Sequence, residues 1–433
     1  MKILVIDYDK CGLPFTLKCD EAGHDTKIWM PPSPIGEGMV EKVKDWKKEI
    51  GKADLVFVTD NSKGIKELEP YHKDHPIFGP NLKGSELELD RECGQNLFDL
   101  CGIDVLPYEV FTSYDKAIEY VKREGKPFVS KPWGGNPDKD LSYVPKTAED
   151  LVSRLQKWKT LGTKPDFMLQ EMVTGQEMAV GGWFGPGGFI PWYNENWEEK
   201  RLMVGGLGPN TGEMGTVMRY VKSSKLADDV LLPVADYLHD IGYVGYIDVN
   251  CIVDDKGTPW PLEFTCRPGW PHFNLCMALH KGDPAKWMLD LLNGKSSLNV
   301  STDICVGVVM ALGDYPWDNM EPEQVEGWPI RGLSTITMDH VALSSAMMSR
   351  APVKVGGKVV DKEVVCTAGS YVLIATGLGE TVCAAREKVY ETCDEINWPP
   401  HRIYRTDIGC RLEEDIPLLQ KQGYAKGLDY GTS

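Results

Sequence analysis

The segment VGYIDVNCIVDDKGTPWPLEFTC, residues 244–266, contains two runs rich in β-branched and aromatic residues, separated by a short acidic turn that ends in glycine. This pattern predicts a β-hairpin. With residues 255–256 as a two-residue turn, Asp248 lies directly opposite Glu263, and Thr265 shares their face. Two opposed carboxylates repel each other unless a cation lies between them. The hairpin therefore predicts either a Mg²⁺ site built from oxygen ligands or a solvent-facing pair neutralised by a lysine.

Composition narrows the class of protein. A chain of 433 residues has the length of about three domains. The formal net charge of −17 argues against nucleic-acid binding through a general basic surface. The longest apolar run, 304–312, is much shorter than the roughly 20 residues that span a bilayer. The twelve cysteines are scattered and include no C-x-x-C motif, which predicts reduced thiols in a cytoplasmic protein without a membrane partner.

The pattern along the chain predicts an α/β fold. Apolar strands alternate with helices up to about residue 105, which is typical of a doubly wound parallel sheet. Beyond about residue 300 the chain predicts a small unit of β segments with one helix. Other predicted elements are a capped helix at 147–162, a hairpin at 177–194 and a long amphipathic helix at 225–242.

A second candidate site follows the apolar strand PFVSK, which ends at Lys131. A lysine in this position can bind a phosphate oxygen, and Gly134 and Gly135 allow the backbone to approach that phosphate closely. Lys139 lies in the same loop. The alternative is an ordinary surface loop. The segment LQEMVTGQE, which ends at Glu177, predicts a strand but no chemistry by itself.

The segment GLGPNTGEMGTV, residues 206–217, contains four glycines, a proline and an asparagine. It fits neither the G-x-G-x-x-G fingerprint nor the P-loop pattern. Such a composition predicts a loop, either as a linker or as part of a substrate pocket.

The order of these features resembles the ATP-grasp fold. GPNTGEMG (208–215) is similar to the GPNTGGMG loop of the glycinamide ribonucleotide synthetase (phosphoribosylamine–glycine ligase) family, and YRTDIGCRL (404–412) resembles that family's YRRDIGWR. The similarity covers nearly the whole chain, which is identified as a divergent member of the family. The resemblance implies an N-terminal pre-ATP-grasp α/β domain with a doubly wound parallel sheet (1–105), a small ATP-lid lobe (106–190), a large lobe with the Mg²⁺ and substrate site (191–300) and a small C-terminal α+β domain (301–433).

The resemblance also implies an ADP-forming C–N ligase, which phosphorylates a carboxylate and lets an amine attack the acyl phosphate. The expected cofactors are ATP and Mg²⁺ (or Mn²⁺), the partners are small-molecule amino acid and amine substrates, and the protein is a monomer or homodimer. The implied catalytic residues are Arg267, Lys131 and Lys139. The implied ATP-binding residues are Arg91, Lys131, Gly134, Gly135, Lys139, Gln170, Glu171, Met172, Val173 and Glu177. The implied metal ligands are Asp248, Glu263 and Thr265. The implied substrate residues are Gly208, Pro209, Asn210, Thr211, Gly212, Glu213, Arg267, Asp7 and Asp9.

Four departures from the family pattern concern the substrates. The first strand enters DYDKCGLP, so Asp7 and Asp9 replace a glycine-rich turn and disfavour a phosphate there. Thr265 replaces an asparagine ligand, and GWPH, with Trp270 and His272, replaces an acidic segment. PWGGNPDKD is a stiffer phosphate loop. Glu213 replaces a glycine, where it blocks part of the pocket or binds a cationic group.

We therefore expect a ligase that uses glycine or another small amino acid with an altered amine acceptor. Two alternatives remain at this point. One is a genuine phosphoribosylamine–glycine ligase of purine biosynthesis, and the other is a non-catalytic nucleotide-binding protein that kept the fold.

Overall fold

The apolar segment at the N-terminus forms the centre of the first sheet. The computed structural model of the protein describes residues 1–134, 141–313, 315–317, 319–399 and 401–432. Five parallel strands form this sheet in the order β3-β2-β1-β4-β5. Its elements are β1 (Lys2–Ile6), α1 (Leu13–Glu21), β2 (Asp25–Trp29), β3 (Glu41–Lys42), β4 (Leu55–Val58), α2 (Ile65–Leu68), β5 (Ile77–Phe78), α3 (Leu82–Leu89) and α4 (Arg91–Leu100). The predicted parallel sheet is confirmed.

A three-stranded antiparallel sheet follows, in the order β6-β8-β7. It contains β6 (Tyr108–Phe111), α5 (Tyr114–Glu124), β7 (Phe128–Pro132), α6 (Ala148–Leu161) and β8 (Phe167–Glu171). Thr147 caps α6 and forms the predicted capping box with Asp150. The apolar residues of this unit form a core cluster of their own, which includes Leu155 and Phe167. This small sheet is therefore packed internally rather than on the rest of the core.

The largest sheet has the path β13-β12-β9-β10-β11-β14-β19-β16, with β20 paired to β14. Its first part contains β9 (Gln176–Gly185), β10 (Gly188–Met203), β11 (Leu207–Val221), α7 (Ala235–Asp240), β12 (Gly245–Val253), β13 (Pro259–Thr265), α8 (His272–Leu279) and α9 (Lys286–Leu292). The predicted hairpin at 177–194 is present as β9 and β10, which turn at Gly185–Gly188.

The C-terminal residues extend this sheet and add a smaller one in the order β15-β18-β17. They contain β14 (Ile304–Leu312), α10 (Pro322–Val325), β15 (Glu326–Pro329), α11 (Thr335–Met338), β16 (Val341–Leu343), β17 (Ala346–Val355), β18 (Lys358–Ala368), β19 (Leu373–Gly379), α12 (Val382–Glu395), β20 (Arg402–Ile403) and α13 (Leu412–Lys421). Among the described residues, no helix is long and apolar enough to cross a membrane.

The large sheet continues across two of the expected domain boundaries. β9 belongs to the large sheet, so the change from small to large sheet falls in the 172–175 connection and not at residue 190. β14 pairs with β11, so the strands beyond residue 300 continue the same sheet. The reason is that long strands paired through their backbone carry the sheet across the expected boundary, which composition alone does not reveal.

One predicted element is irregular and another is wrong in kind. The expected helix at 225–242 is present as a helical segment, but a π-helical turn at Ala227–Leu231 and a 3₁₀ turn at Leu232–Val234 break its α-helical geometry before α7. Pro233 explains the break, because it has no N–H to donate within a continuous α-helix. The glycine-rich stretch expected as a loop forms the first half of β11, where Arg201 pairs with Asn210 beyond a register shift in β10.

Aromatic side chains attach the N-terminal sheet to the large one. Phe57 of β4 stacks on Phe273 of α8 with a centroid separation of 5.1 Å, and Phe78 of β5 meets Trp183 of β9 at 5.9 Å. All four belong to one continuous core cluster. This packing places the first βα turn beside the C-terminal end of β13.

A buried ion pair links β10 and β11 in the large sheet. Glu195 and Arg219 lie directly opposite each other on β10 and β11, 2.7 Å apart, and both are almost fully buried. Ser224 donates to the same carboxylate, and Arg219 also donates to the carbonyl of Lys426. The pair therefore also holds the C-terminal segment against the sheet.

We expect Arg219→Met to lower the free energy of unfolding by about 3–5 kcal/mol, because it leaves a buried carboxylate without its counter-charge. Urea unfolding monitored by tryptophan fluorescence measures the change. Arg123→Met, which removes an exposed arginine from α5, is the matched control and should shift stability by less than about 0.5 kcal/mol. Equal effects of the two substitutions would contradict a structural role for the pair.

Candidate active site

The β12–β13 hairpin has a register different from the expected one. Asp248 lies opposite Thr265, and Glu263 lies opposite Asn250, so the prediction that Asp248 directly faces Glu263 is wrong. Two causes shift the register. First, the connection is longer than two residues, and within it the carboxylate of Asp254 accepts from the backbone N–H groups of Lys256 and Thr258. Second, a bulge falls between Asn250 and Cys251. The expected sharing of one face is nevertheless correct, because the shift equals two residues.

Glu263 lies between positively charged side chains. Its Oε2 accepts from Nη2 of Arg91 at 3.1 Å, and its Oε1 lies 3.6 Å from Nζ of Lys200. Burial opposes its ionisation, but the charges of Lys200, Arg91 and Lys131 outweigh this effect and hold the pKa of Glu263 below its usual range. Glu263 is therefore an anion at neutral pH.

Lys200 of β10 lies among three carboxylates, which we call the Lys200 cluster. Its Nζ is 3.1 Å from Glu198, 3.6 Å from Glu263 and 3.8 Å from Glu177. Burial would lower the pKa of Lys200, but these three carboxylates raise it well above its ordinary value. The cluster brings together acids from β9, β10 and β13 around one permanent positive charge.

Asn250 completes the oxygen-rich side of this cluster. Its Nδ2 donates to Glu177 at 3.2 Å and to Glu198 at 3.3 Å, while its Oδ1 is buried and has no hydrogen-bond partner. The unpartnered amide oxygen and the carboxylate of Glu263 across the ladder are hard donors of the kind Mg²⁺ takes. Within the part of the chain that the structure describes, no three acidic, histidine or cysteine side chains are arranged as a preformed metal site.

Asp248 is buried beside the cluster. Its Oδ2 accepts from Nδ2 of Asn196 and from the hydroxyl of Tyr246, each at 2.9 Å. Burial and the nearby charge of Glu198 raise the pKa of Asp248 to about 7. His272 contacts the same tyrosine hydroxyl at 3.1 Å and is itself buried. His272 therefore packs against Tyr246 in the interior and offers no exposed surface to a substrate.

The small sheet provides the residues that we expect to bind the nucleotide. Nζ of Lys131 on β7 donates to Oε1 of Gln170 on β8 at 2.9 Å. Burial, reinforced by Arg91, lowers the pKa of Lys131 to about 7. Gly134 has a left-handed φ of 61°, as a turn at the start of a phosphate loop requires. Gly135 and Lys139 lie outside the described residues.

The expected adenine-lining residues fall at the junction of the two sheets. Gln170 is buried in β8, Glu171 ends that strand in an ion pair with Lys126, and Met172 and Val173 lie in the connection to β9. Met172 is exposed despite its apolar side chain. An exposed apolar residue in the connection between the two sheets offers a surface for a flat ring.

The first βα turn is occupied by the protein's own carboxylate. Asp7 is fully buried, its Oδ1 accepts from the N–H of Cys11 at 3.0 Å and its Oδ2 accepts from the N–H of Gly12 at 2.7 Å. Thr59 adds a third donor at 2.8 Å. Burial raises the pKa of Asp7 to about 6 despite these bonds. The turn also contains Lys10 in the left-handed region, with φ of 63°.

Gly12 is required by this arrangement. A Cβ at its position would lie 2.9 Å from Cγ1 of Val5 and 3.1 Å from the carboxyl carbon of Asp7. Asp9, in contrast, is exposed and forms an ion pair with Lys63 at 2.9 Å. The two expected substrate residues of this turn thus differ, because only Asp7 takes up the backbone donors.

Arg267 lies between the turn and the cluster. It forms an ion pair with Glu88 of α3 at 3.0 Å, and the charges of Glu88, Asp60 and Asp9 raise its pKa although burial opposes this. Oε2 of Glu88 also accepts from Asn61 and from the backbone of Cys266. Arg267 is therefore held in place by the N-terminal unit, on the side of the site where the acceptor is expected.

The GPNTGE stretch alternates between surface and interior. Gly208, Asn210 and Gly212 are exposed, Pro209 and Thr211 are half-buried, and Glu213 is buried. Arg201 donates to the carbonyl of Gly208 at 2.9 Å, and Thr211 donates to the carbonyl of Lys200. Only Glu213 among these six expected substrate residues enters the interior of the site.

Sequence reasoning missed five contributors: Lys200, Glu198, Asn250, Glu88 and Arg411. Arg411 of the YRTDIGCRL segment donates to the carbonyl of Glu198 at 3.2 Å and contacts that of Glu177 at 3.5 Å. A usable signal existed for Glu198, because it lies two residues before Lys200 in a strand and so shares its face. No local signal marks Glu88 or Arg411, whose roles arise from tertiary packing.

Comparisons with known proteins agree with this site. The ATP-grasp (A) domain of phosphoribosylglycinamide synthetase matches residues 90–272, and the C domain of the same enzyme matches residues 305–411, together about two thirds of the chain. The chain is 27% identical over 354 residues to the phosphoribosylamine–glycine ligase of Escherichia coli O157:H7, with 78% of each covered. It is 28% identical over 349 residues to that of Ralstonia nicotianae, covering 77% of this chain and 78% of the relative.

Solved structures show the same fold. The phosphoribosylamine–glycine ligase of Thermotoga maritima aligns with a TM-score of 0.72 at 19% identity, covering 94% of this chain and all of the other. The ADP complex of an N5-carboxyaminoimidazole ribonucleotide synthetase aligns with a TM-score of 0.60 at 14% identity, covering 90% and 96%. These similarities establish the expected ATP-grasp architecture.

We expect nucleotide binding to be accompanied by proton uptake at Lys131. With a pKa of about 7, its amine is mostly neutral at pH 8.5 in the empty protein, and a bound polyphosphate favours the charged form. ADP affinity should therefore strengthen as the pH falls from about 9 to 7 and level off below 7. Calorimetry at pH 8.5 in two buffers of different ionisation enthalpy should show about one proton taken up. Lys131→Arg stays charged, so equal uptake in that variant would refute the assignment.

We expect Glu263→Gln to weaken divalent-cation binding in the presence of ADP at least about tenfold, because it removes the charged oxygen ligand. Electron paramagnetic resonance of free and bound Mn²⁺ measures this directly. Glu67→Gln, which removes a carboxylate from an exposed ion pair with Lys47, is the control and should have no effect. Unchanged Mn²⁺ affinity in Glu263→Gln would remove this residue from the metal site.

Proposed function

Because this chain belongs to the phosphoribosylglycinamide synthetase family of ATP-grasp ligases, we propose that it joins a carboxylate to an amine other than phosphoribosylamine. The reaction phosphorylates the carboxylate with ATP, and attack of the amine on the acyl phosphate forms the amide and releases phosphate; ADP leaves as the other product. Glycine or another small amino acid supplies the carboxylate. The twelve cysteines are all free, which supports placing the protein in the reducing cytoplasm.

The observation that carries the altered acceptor is the Asp7 carboxylate in the first βα turn. Backbone N–H groups at such a turn are the usual donors to a phosphate in a doubly wound sheet. Here the N–H groups of Cys11 and Gly12 both donate to Asp7. A phosphorylated sugar would find these donors taken and a negative charge in its place. An acceptor without a phosphate meets neither obstacle.

The opposite side of the cleft supports ATP as the phosphoryl donor. Lys131 and Arg91 bring positive charge to the cleft from the small sheet and from α4, within reach of Glu263. We propose that Lys131 binds the α- and β-phosphates, that residues 170–173 line the adenine and that Glu177 binds the ribose. Because the small sheet has its own core, it can close over the nucleotide as a unit and exclude water.

The oxygen donors fit a divalent cation. We propose that Glu263 and Asn250 hold Mg²⁺ (or Mn²⁺), with Glu198 nearby, in place of the expected trio of Asp248, Glu263 and Thr265. When bound, the ion neutralises charge on the transferring phosphoryl group. Before the nucleotide binds, Lys200 neutralises part of the negative charge of the cluster. Arg267, which is held by its ion pair with Glu88, orients the amine acceptor.

A genuine phosphoribosylamine–glycine ligase is the second candidate. The names of the curated relatives favour it, and the activity they name differs from our proposal only in the acceptor. The distinction between the two candidates therefore depends on the first βα turn, and a direct assay separates them.

The assay follows ADP release with Mg-ATP and glycine, and then with other small amino acids, in the presence and absence of phosphoribosylamine or a panel of primary amines. We expect turnover with unphosphorylated amines and none with phosphoribosylamine. Glu263→Gln serves as the inactive control. Robust turnover with phosphoribosylamine would contradict the altered acceptor. Absence of turnover with every combination would contradict the ligase and favour a nucleotide-binding protein without catalysis.

A further inference from the structure

A buried carboxylate in the site has no partner. Glu213 of β11 is 5% exposed, and its Oε1 is buried without a hydrogen bond. Among the described residues, no lysine, arginine or histidine lies within ion-pair distance of it. A buried carboxyl group without a counter-charge takes up a proton rather than remaining ionised, and a cationic ligand at the site would displace that proton.

The nearest charges do not supply that balance. Burial raises the pKa of Glu213 well above its usual value, and the carboxylates of Glu198 and Asp248 add to the effect. Lys200 and Arg267 act in the opposite direction, but both are engaged elsewhere. Lys200 is bound to Glu198 at 3.1 Å, and Arg267 is bound to Glu88 at 3.0 Å. Glu213 therefore has no cation of its own among the described residues.

A second unpartnered group lies on the acceptor side. The hydroxyl of Tyr371, at the start of the segment leading to β19, is buried and has no hydrogen-bond partner. Burial raises its pKa, and Tyr315, Cys11 and Glu213 raise it further, which places all three within electrostatic reach. Glu213 therefore lies within electrostatic reach of Asp248 and of Tyr371, which is itself within reach of Cys11 in the first βα turn.

The chemistry of these groups selects a primary ammonium. Such a group has three N–H donors and one positive charge, which matches one carboxylate and further acceptors nearby. Water brings no positive charge, so it gives Glu213 no counter-charge that would favour the ionised form. Resting on the proposed ligase function, we propose that Glu213 binds the primary ammonium group of a small substrate and thereby determines which substrate is accepted. That ammonium belongs either to the amino acid whose carboxylate reacts or to the amine acceptor before it loses its proton.

The test compares matched probes that differ only in the charged group. Glycine, β-alanine and ethanolamine carry an ammonium; glycolate, 3-hydroxypropionate and ethylene glycol carry a hydroxyl in its place. Affinities are measured by ligand-observed NMR on the full chain with Mg-ADP present. We expect at least one ammonium probe to bind at least about tenfold more tightly than its hydroxyl counterpart. Preference within the amino acid pairs identifies the carboxylate substrate as the source, and preference within the ethanolamine pair identifies the acceptor.

Glu213→Gln keeps the shape of the side chain and removes its charge. We expect this variant to lose the preference for ammonium, with a ratio near one, while its affinity for ADP is unchanged. Tyr371→Phe is the neighbouring control, since it removes the other unpartnered group but leaves the charge, and it should keep most of the preference. An unchanged preference in Glu213→Gln, or no binding of any ammonium probe to the wild type, would overturn the proposal.

Glu213→Asp is a second variant that keeps the proposal testable if Glu213→Gln does not fold. It withdraws the carboxylate by one methylene, so the affinity for ammonium probes should fall at least about tenfold while that for hydroxyl probes stays constant. Unchanged ammonium affinity would again overturn the proposal. ADP release separates this inference from the ligase itself. Activity that persists in Glu213→Gln with the same amine profile refutes only the role of Glu213, whereas absence of ADP release in the wild type refutes the ligase.

Discussion

The ammonium of Lys200 among the carboxylates of Glu177, Glu198 and Glu263 is the interaction on which the site depends. Three strands that are distant in sequence must meet within a few ångströms for this to occur. These side chains come together because of the pairing register of β9, β10 and β12 and because of the bulge between β12 and β13. The C-terminal segment contributes through Arg411, which binds the backbone behind two of the acids. The pairing of the strands therefore places the charges next to each other, and the attraction between these charges in turn favours that pairing.

The cleft separates two kinds of recognition. The small sheet, with a core of its own, brings Lys131 to the nucleotide side and is joined to the large sheet through residues 172–175. The acceptor side is formed by rigid packing, because Phe57 and Phe273 attach the N-terminal sheet directly to α8. A unit with its own core can move as a body on the side where we propose that the nucleotide binds. The side where we propose that the amine binds is held by packing between the two sheets.

Local signals in the sequence predicted much of the fold and less of the site. The apolar first strand, the capping box at Thr147 and the turn between β9 and β10 depend on neighbouring residues and were predicted. The register of β12 on β13 was not, since a bulge leaves no mark in the pattern of residue types. The glycine-rich start of β11 reads as a loop because glycine and proline disfavour strands in general, yet pairing with β10 overrides that preference here. Contacts such as Arg267 with Glu88 form only after folding and have no local signature.

The carboxylate of Asp7 in the first turn has a consequence for how the protein meets its surroundings. A ligand that is part of the chain is present at an effective concentration far above that of any dissolved anion, and it costs no further loss of freedom to bind. Inorganic phosphate and sugar phosphates, which compete for open turns of this type, therefore have little access to this one. By closing this kind of anion site from within, the chain disfavours phosphorylated metabolites on the side of the site where we propose that the acceptor binds.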